Sequence, residues 1–185
     1  MPVSRNRTRW WRGVLFLFTA FFIIAIDQVS KEWIRINIPS GGLLTRIGCL
    51  SIVNIQNTGA AFGILQNQSV LLSIVSIAGI IIILIFFKYI VDLGVSGGIA
   101  LSMIFAGAVG NQIDRFRYGY VTDFIYVRIW DNLFWPAFNV ADSAITIGSI
   151  SLAIIILIGL RKKRGTAGNT GERKGGESGS QNISS

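Results

Sequence analysis

Histidine is absent from all 185 residues, and cysteine occurs once, at position 49. Without histidine the chain builds no Ser-His-Asp triad, no Cys–His pair and no histidine metal site. A single cysteine allows neither an internal disulfide nor a thiolate cluster, and Cys49, with no imidazole to activate it, reads as a small buried filler. Charge is scarce too. Only 14% of residues are charged and 51% are hydrophobic, against about 25% charged in an ordinary soluble domain. Nine residues are acidic, so any acid–base chemistry must come from a short roll of carboxylates. Such a composition belongs in a membrane.

What charge there is lies in telling places. The net charge of +8 comes mainly from two terminal runs, RNRTRWWR at residues 5–12 and RKKR at 161–164. Both flank apolar spans, which is the positive-inside arrangement and not a nucleic-acid stripe. A bilayer core of about 30 Å needs about 20 apolar residues in a helix. Ser69–Phe87, Leu93–Gly110 and Val140–Leu160 each suffice. Gly13–Ile26 is too short alone and must recruit Trp10, Trp11 and Asp27–Trp33. Its basic front and apolar middle resemble a signal peptide, but no small-x-small site follows, so it reads as an uncleaved anchor. The sequence therefore predicts a membrane all-α core of four transmembrane helices with both termini cytoplasmic. Segments 37–68 and 111–139 then face outward, and Lys88–Asp92 makes an inner turn. Trp10, Trp11, Trp33, Trp130 and Trp135 fall at the predicted interfaces.

The outer segments carry strand patterns. LTRIGCLSIVNIQ is rich in β-branched residues, and YVTDFIYVRIW alternates Val121, Asp123, Ile125, Val127 and Ile129 on one face. A small extracytoplasmic β structure is expected on the bundle. The third helix is dense in small residues, from Gly97 to Gly110, and is expected to pack centrally. Residues 1–164 form one domain, and 165–185, Gly, Ser and charge, form a disordered cytoplasmic tail.

Five carboxylates map to the outer interface: Asp27, Asp114, Asp123, Asp131 and Asp142. Ionised groups near lipid are functional candidates by default. Asp131 sits in a polar W-D-N turn and reads as solvated. Asp27 and Lys31, four apart, form an ion pair along a helix face. Ser30 beside Lys31 suggests a serine–lysine hydrolase, yet helix neighbours point about 100° apart. Asn111, Asp114 and Arg115 share a face, and a structural pair of Asp114 with Arg115 or Arg117 is expected. Asn139 and Asp142 read as the cap and third residue of a helix. Capping does not explain Asp123, an acid on a short apolar strand without an adjacent counter-charge. Two such acids brought together share a proton, one serving as base toward water and the other as acid toward a carbonyl.

Four blocks in order, DQVSK at 27–31, NTGAAFG at 57–63, GNQIDR…VTDF at 110–124 and FNVADSAI at 138–145, resemble the lipoprotein signal peptidase (signal peptidase II) family. The resemblance implies an aspartyl endopeptidase of the bacterial cytoplasmic membrane. Its substrates are prolipoproteins whose lipobox cysteine carries a diacylglyceryl group, and it cuts on the N-terminal side of that cysteine. It implies Asp123 and Asp142 as the catalytic pair. Asp27, Asn57, Asn111, Arg115 and Asn139 are then site-shaping or substrate-holding, with Asp114 in support. It also implies a small outer β-cradle. No metal or cofactor is expected; the partners are prolipoprotein and membrane lipid, and the chain acts as a monomer. With Asp142 at a helix N-terminus, it is expected to be the ionised partner and Asp123 the protonated one. The main rival is a small transporter, but transport sites usually lie near the midplane, and these acids cluster at one interface.

Overall fold

The computed structural model describes residues 5–59, 66–87, 94–130 and 133–179. The inner turn at Lys88–Asp92, Asp131, residues 60–65 (which include the last four of the NTGAAFG block) and residues 180–185 lie outside the described residues.

The first helix, α1, runs Arg5–Asn37 as one piece, taking in the flanking residues that the short apolar stretch needs. Trp10 and Trp33 are then about 35 Å apart along its axis, close to the bilayer thickness. Helix α2 covers Ser69–Ile85, α3 Gly94–Tyr118 and α4 Val140–Gly179. Three stretches, Trp10–Asn37, Gly94–Tyr118 and Val140–Arg161, are long and apolar enough to cross a membrane, which fits a multi-pass membrane protein. Helix α2 is apolar but shorter, at 17 residues or about 26 Å. The backbone of α4 is helical through Gly179.

Small residues set how closely the helices approach. A Cβ on Gly107 would collide with the carbonyl oxygen of Ala141 and with Ile145, so α3 and α4 touch backbone to backbone there. A Cβ on Gly110 would lie 2.6 Å from Asp27 Oδ2, where α3 meets α1. The central position predicted for this helix follows: Ala100, Ser102, Ala106, Gly107 and Gly110 are all buried. By contrast, Phe18, Phe21 and Phe22 of α1 and all of α2 lack buried positions. These are surfaces suited to lipid.

A four-stranded antiparallel sheet, in the order β1-β2-β3-β4, joins the helices. Its strands are β1 Leu43–Ile47, β2 Leu50–Asn57, β3 Val121–Trp130 and β4 Leu133–Phe138. Strands β1 and β2 fall in the stretch rich in β-branched residues, and β3 falls where alternation predicts it. Strand β4 is not predicted, because Pro136 interrupts its pattern; an edge strand tolerates the missing N–H. A two-residue Gly48–Cys49 loop closes the β1–β2 hairpin, with Gly48 at φ 60°, as the twist-matched hairpin turns require. Cys49 is consequently exposed, not buried as the sequence suggests. Its backbone oxygen is tied to the Arg128 N–H at 2.8 Å, while the turn projects its side chain outward.

Strand β2 carries a bulge against β3: Ile52 pairs with Ile125 and Ile55 with Asp123. At the bulge Asn54 turns to the chain leaving α1, its Nδ2 donating to the Ile38 oxygen at 2.6 Å. Ile34 of α1, Ile38 just after it, Phe124 of β3 and, partly buried, Val140 of α4 form one apolar cluster beneath. That cluster fixes β3 against the starts and ends of the helices where the polar residues converge.

Candidate active site

Asp27 and Lys31 lie one turn apart on α1 and are both fully buried, with Lys31 Nζ 2.9 Å from Asp27 Oδ2. Asp27 reaches further. Its Oδ1 accepts the backbone N–H of Ala141 at 2.9 Å, so α1 caps the first turn of α4, a chain distance of more than a hundred residues. Ser30 donates to the Asp27 carbonyl at 2.9 Å, and Lys31 turns instead to Asp27, Asn111 and Asp114. A serine–lysine device is therefore not assembled.

Asp114, also fully buried, does not pair with Arg115 or Arg117 as the sequence suggests. Its partners are Lys31 at 3.4 Å and Arg35 Nη1 at 3.5 Å, both from α1. The helical turn from 114 to 115 carries Arg115 round to the cavity, while Arg117 lies over the Tyr118 ring. Asp114 Oδ2 also accepts the Thr122 N–H at 2.9 Å, which ties the first residues of β3 to the end of α3.

Asn139 and Asp142 form the predicted reciprocal cap. Asp142 N–H donates to Asn139 Oδ1 at 2.9 Å, and Asn139 N–H donates to Asp142 Oδ2 at 3.2 Å. The cap has a second use. With its oxygen committed to the helix, the Asn139 amide nitrogen donates to Asp123 Oδ1 at 2.7 Å. Asn57 donates to the other oxygen, Oδ2, at 2.8 Å, while its own oxygen accepts the Gly59 N–H at 2.9 Å. Asn111 donates to Asp142 Oδ1 at 2.7 Å. Each of the two acids thus sits in a bracket of asparagine amides, and Asn139 touches both.

Asp123, Asp142, Asn57, Asn111 and Arg115 line one cavity of about 450 Å³, walled by Trp135–Phe138 of β4 and by Ile145 and Ile147 of α4. This is the size and makeup of a small-substrate cleft: apolar walls with a few convergent polar groups. Burial, followed by the charge of Asp142, pushes the Asp123 carboxyl up to about 7. The hydrogen bonds donated by the Asn57 and Asn139 amides and the charge of Lys31 oppose that rise and are outweighed. A carboxyl held protonated near neutrality beside a second carboxyl is a proton donor and acceptor of matched strength.

The structure brings all eight sequence-derived residues together: seven share one network of hydrogen bonds and ion pairs, and Arg115 joins Asn57, Asn111, Asp123 and Asp142 in lining the cavity, with Asp27, Asp114 and Asn139 behind or between them. It adds others. Arg35 donates to Thr122 Oγ1 at 2.9 Å, and Gln28 donates to Asp27, Asp114 and the Gly110 carbonyl. The sequence holds one signal for them: Gln28, Lys31 and Arg35 recur at helical spacing in the polar end of α1, after its long apolar run.

Residues 19–158 match the family model for signal peptidase (SPase) II. A lipoprotein signal peptidase of Dehalococcoides mccartyi is 41% identical over 151 residues, covering 80% of this chain and 91% of the relative. One from Moorella thermoacetica is 40% identical over 144 residues, covering 77% and 93%. The fold is similar to a bacterial membrane enzyme solved in meso at 2.3 Å resolution, with a TM-score of 0.69 and 36% identity over 81% of this chain and 89% of that one.

Proposed function

The chain belongs to the signal peptidase II family, and from that premise we propose that it is an aspartyl endopeptidase removing signal peptides from diacylglyceryl-modified prolipoproteins. It cuts on the N-terminal side of the lipidated lipobox cysteine. The observation that carries the aspartyl assignment is the bracketing of Asp123 and Asp142 by Asn57, Asn111 and Asn139 around one cavity.

In the reaction, Asp142 is the base and Asp123 the acid. Asp142 takes a proton from water as the water oxygen bonds to the scissile carbonyl carbon, and Asp123 gives its proton to the carbonyl oxygen. The tetrahedral diol then collapses. Asp142 returns its proton to the leaving nitrogen of the lipidated cysteine, Asp123 recovers a hydroxyl proton, and the C–N bond breaks. The signal peptide leaves with a carboxyl group and the lipoprotein with a free amine. Asn111 and Asn139 N–H groups support the charged Asp142. Burial supports the neutral Asp123. Arg115, within electrostatic reach of both acids, helps hold substrate backbone.

The same proposal includes the setting. Four helices cross the cytoplasmic membrane of a bacterium with both termini inside, α2 spanning with local thinning or flanking residues. The sheet and cavity face outward, so acyl chains stay in lipid while the scissile bond reaches the acids. The enzyme works as a monomer.

The test is cleavage of a diacylglyceryl-modified lipobox substrate by purified wild type, Asp123→Asn and Asp142→Asn. Each variant is expected to lose about a hundredfold to ten-thousandfold in turnover while still binding substrate. Near-normal turnover by either one ends the assignment of the pair.

A further inference from the structure

Lys31 lies outside the cavity, yet it decides which way the hydrogen bonds around the acids run. An ammonium group only donates. Its position 2.9 Å from Asn111 therefore requires the oxygen of that amide, Oδ1, to face it. The nitrogen is then forced to the other side, where it donates to Asp142 Oδ1 at 2.7 Å. The same Asn111 oxygen accepts from Asn139 Nδ2 at 3.2 Å, the nitrogen that also donates to Asp123. Were the Asn111 amide reversed, its oxygen would face the Asp142 carboxylate and its nitrogen would face the Lys31 ammonium and the Asn139 amide nitrogen. Every contact would become a repulsion.

Lys31 itself is held without freedom. It is fully buried, and Asp27 at 2.9 Å, Asn111 at 2.9 Å and Asp114 at 3.4 Å take up its donors. Asp27 and Asp114 are anchored in turn to the Ala141 and Thr122 N–H groups, one residue before Asp142 and Asp123 respectively. The lysine is thus a fixed reference for both carboxylates.

We propose that Lys31 is a positioning residue for peptide cleavage: it orients the Asn111 amide so that Asn111 presents a donor, and never an acceptor, to Asp142. The role rests on the assignment of Asp123 and Asp142 as the reacting pair. It goes beyond the ion pair with Asp27, which by itself requires nothing of Asn111.

A double-mutant cycle between Lys31→Met and Asn111→Ala tests it, read as kcat and KM per folded enzyme. Lys31→Met is expected to lower kcat by about tenfold or more with KM within about threefold, because Lys31 does not touch the cavity. The double variant should be no slower than about threefold below the slower single, since both changes break one chain. Losses that multiply, or a kcat for Lys31→Met within about threefold of wild type, overturn the proposal. Because Lys31→Met leaves two buried acids short of a cation, Lys31→Gln serves the cycle if the methionine variant does not fold. A measurement on the unaltered enzyme stands beside it. Solid-state NMR should correlate the Lys31 ammonium nitrogen with the Asn111 side-chain carbonyl carbon, and absence of that contact in folded protein also overturns the proposal. Full turnover by Asp142→Asn, by contrast, strikes at the reacting pair and not at Lys31 alone.

Discussion

At the scale of the residue, Asp123 carries the prediction. Its carboxyl is pushed up to about 7 from an ordinary 3.8, first by burial and then by Asp142. The folded protein therefore keeps a proton between about pH 4 and pH 7 that the unfolded chain gives up. In that window the unfolded state binds fewer protons, so this group makes stability fall as pH rises and contributes no further change above about 7. Activity follows the same proton. A pair that needs one acid and one base loses its acid above about pH 7, so kcat should fall on the alkaline side with an apparent value that belongs to the pair. A kcat flat from about pH 6 to 9 contradicts the assignment. Asp142→Asn separates the two causes: in its infrared spectrum the protonated Asp123 carboxyl should vanish at lower pH than in wild type. It should not return to the ordinary value, because burial remains.

Helices and strands explain why those residues meet, and here the sequence is an uneven guide. The capping box of Asn139 and Asp142 and the Asp27–Lys31 pair are legible because their partners lie three and four residues apart. The contact of Asn57 with Asp123 spans sixty-six positions, and the Asp27 cap on Ala141 spans one hundred and fourteen; local spacing has no access to either. Asp114 shows the same limit, since the sequence offers neighbouring arginines while the fold supplies Lys31 and Arg35 from another helix. Elimination among carboxylates finds Asp123 without any contact being known. Strand β4 is hidden by Pro136, and Cys49 is misjudged because burial of a turn residue depends on which way the hairpin points. The small residues of α3, however, do announce a close approach. Gly110→Ala should force Asp27 aside and lower stability by about 1–3 kcal/mol, with turnover falling as Ala141 loses its cap. Gly98→Ala, on the same helix with nothing within 4 Å, should leave thermal unfolding unchanged or raise stability by up to about 1 kcal/mol. Equal effects at the two sites would mean that α3 does not meet α1 at Gly110.

For the whole molecule, orientation is the property that decides whether the proposed chemistry can occur. The cavity, the sheet and the adjoining ends of α1, α3 and α4 are built as one piece, since Asp27, Asn111, Asp123 and Asp142 are linked by direct hydrogen bonds or through Lys31 and Asn139. Establishing the side of the membrane for one sheet residue therefore establishes it for the acids. The chain supplies its own reporter. Cys49 is the single cysteine, is exposed at the β1–β2 turn, and lies outside the network around the acids, so modifying it should leave turnover intact. The basic runs at 5–12 and 161–164 predict that this turn faces out of the cytoplasm. A membrane-impermeant maleimide added to intact spheroplasts should then label the unaltered enzyme as fully as it does after permeabilisation, and Cys49→Ser should abolish the signal. Labelling that appears only after permeabilisation would place the acids on the cytoplasmic side, where an exported lipoprotein precursor could not present its cleavage site to them.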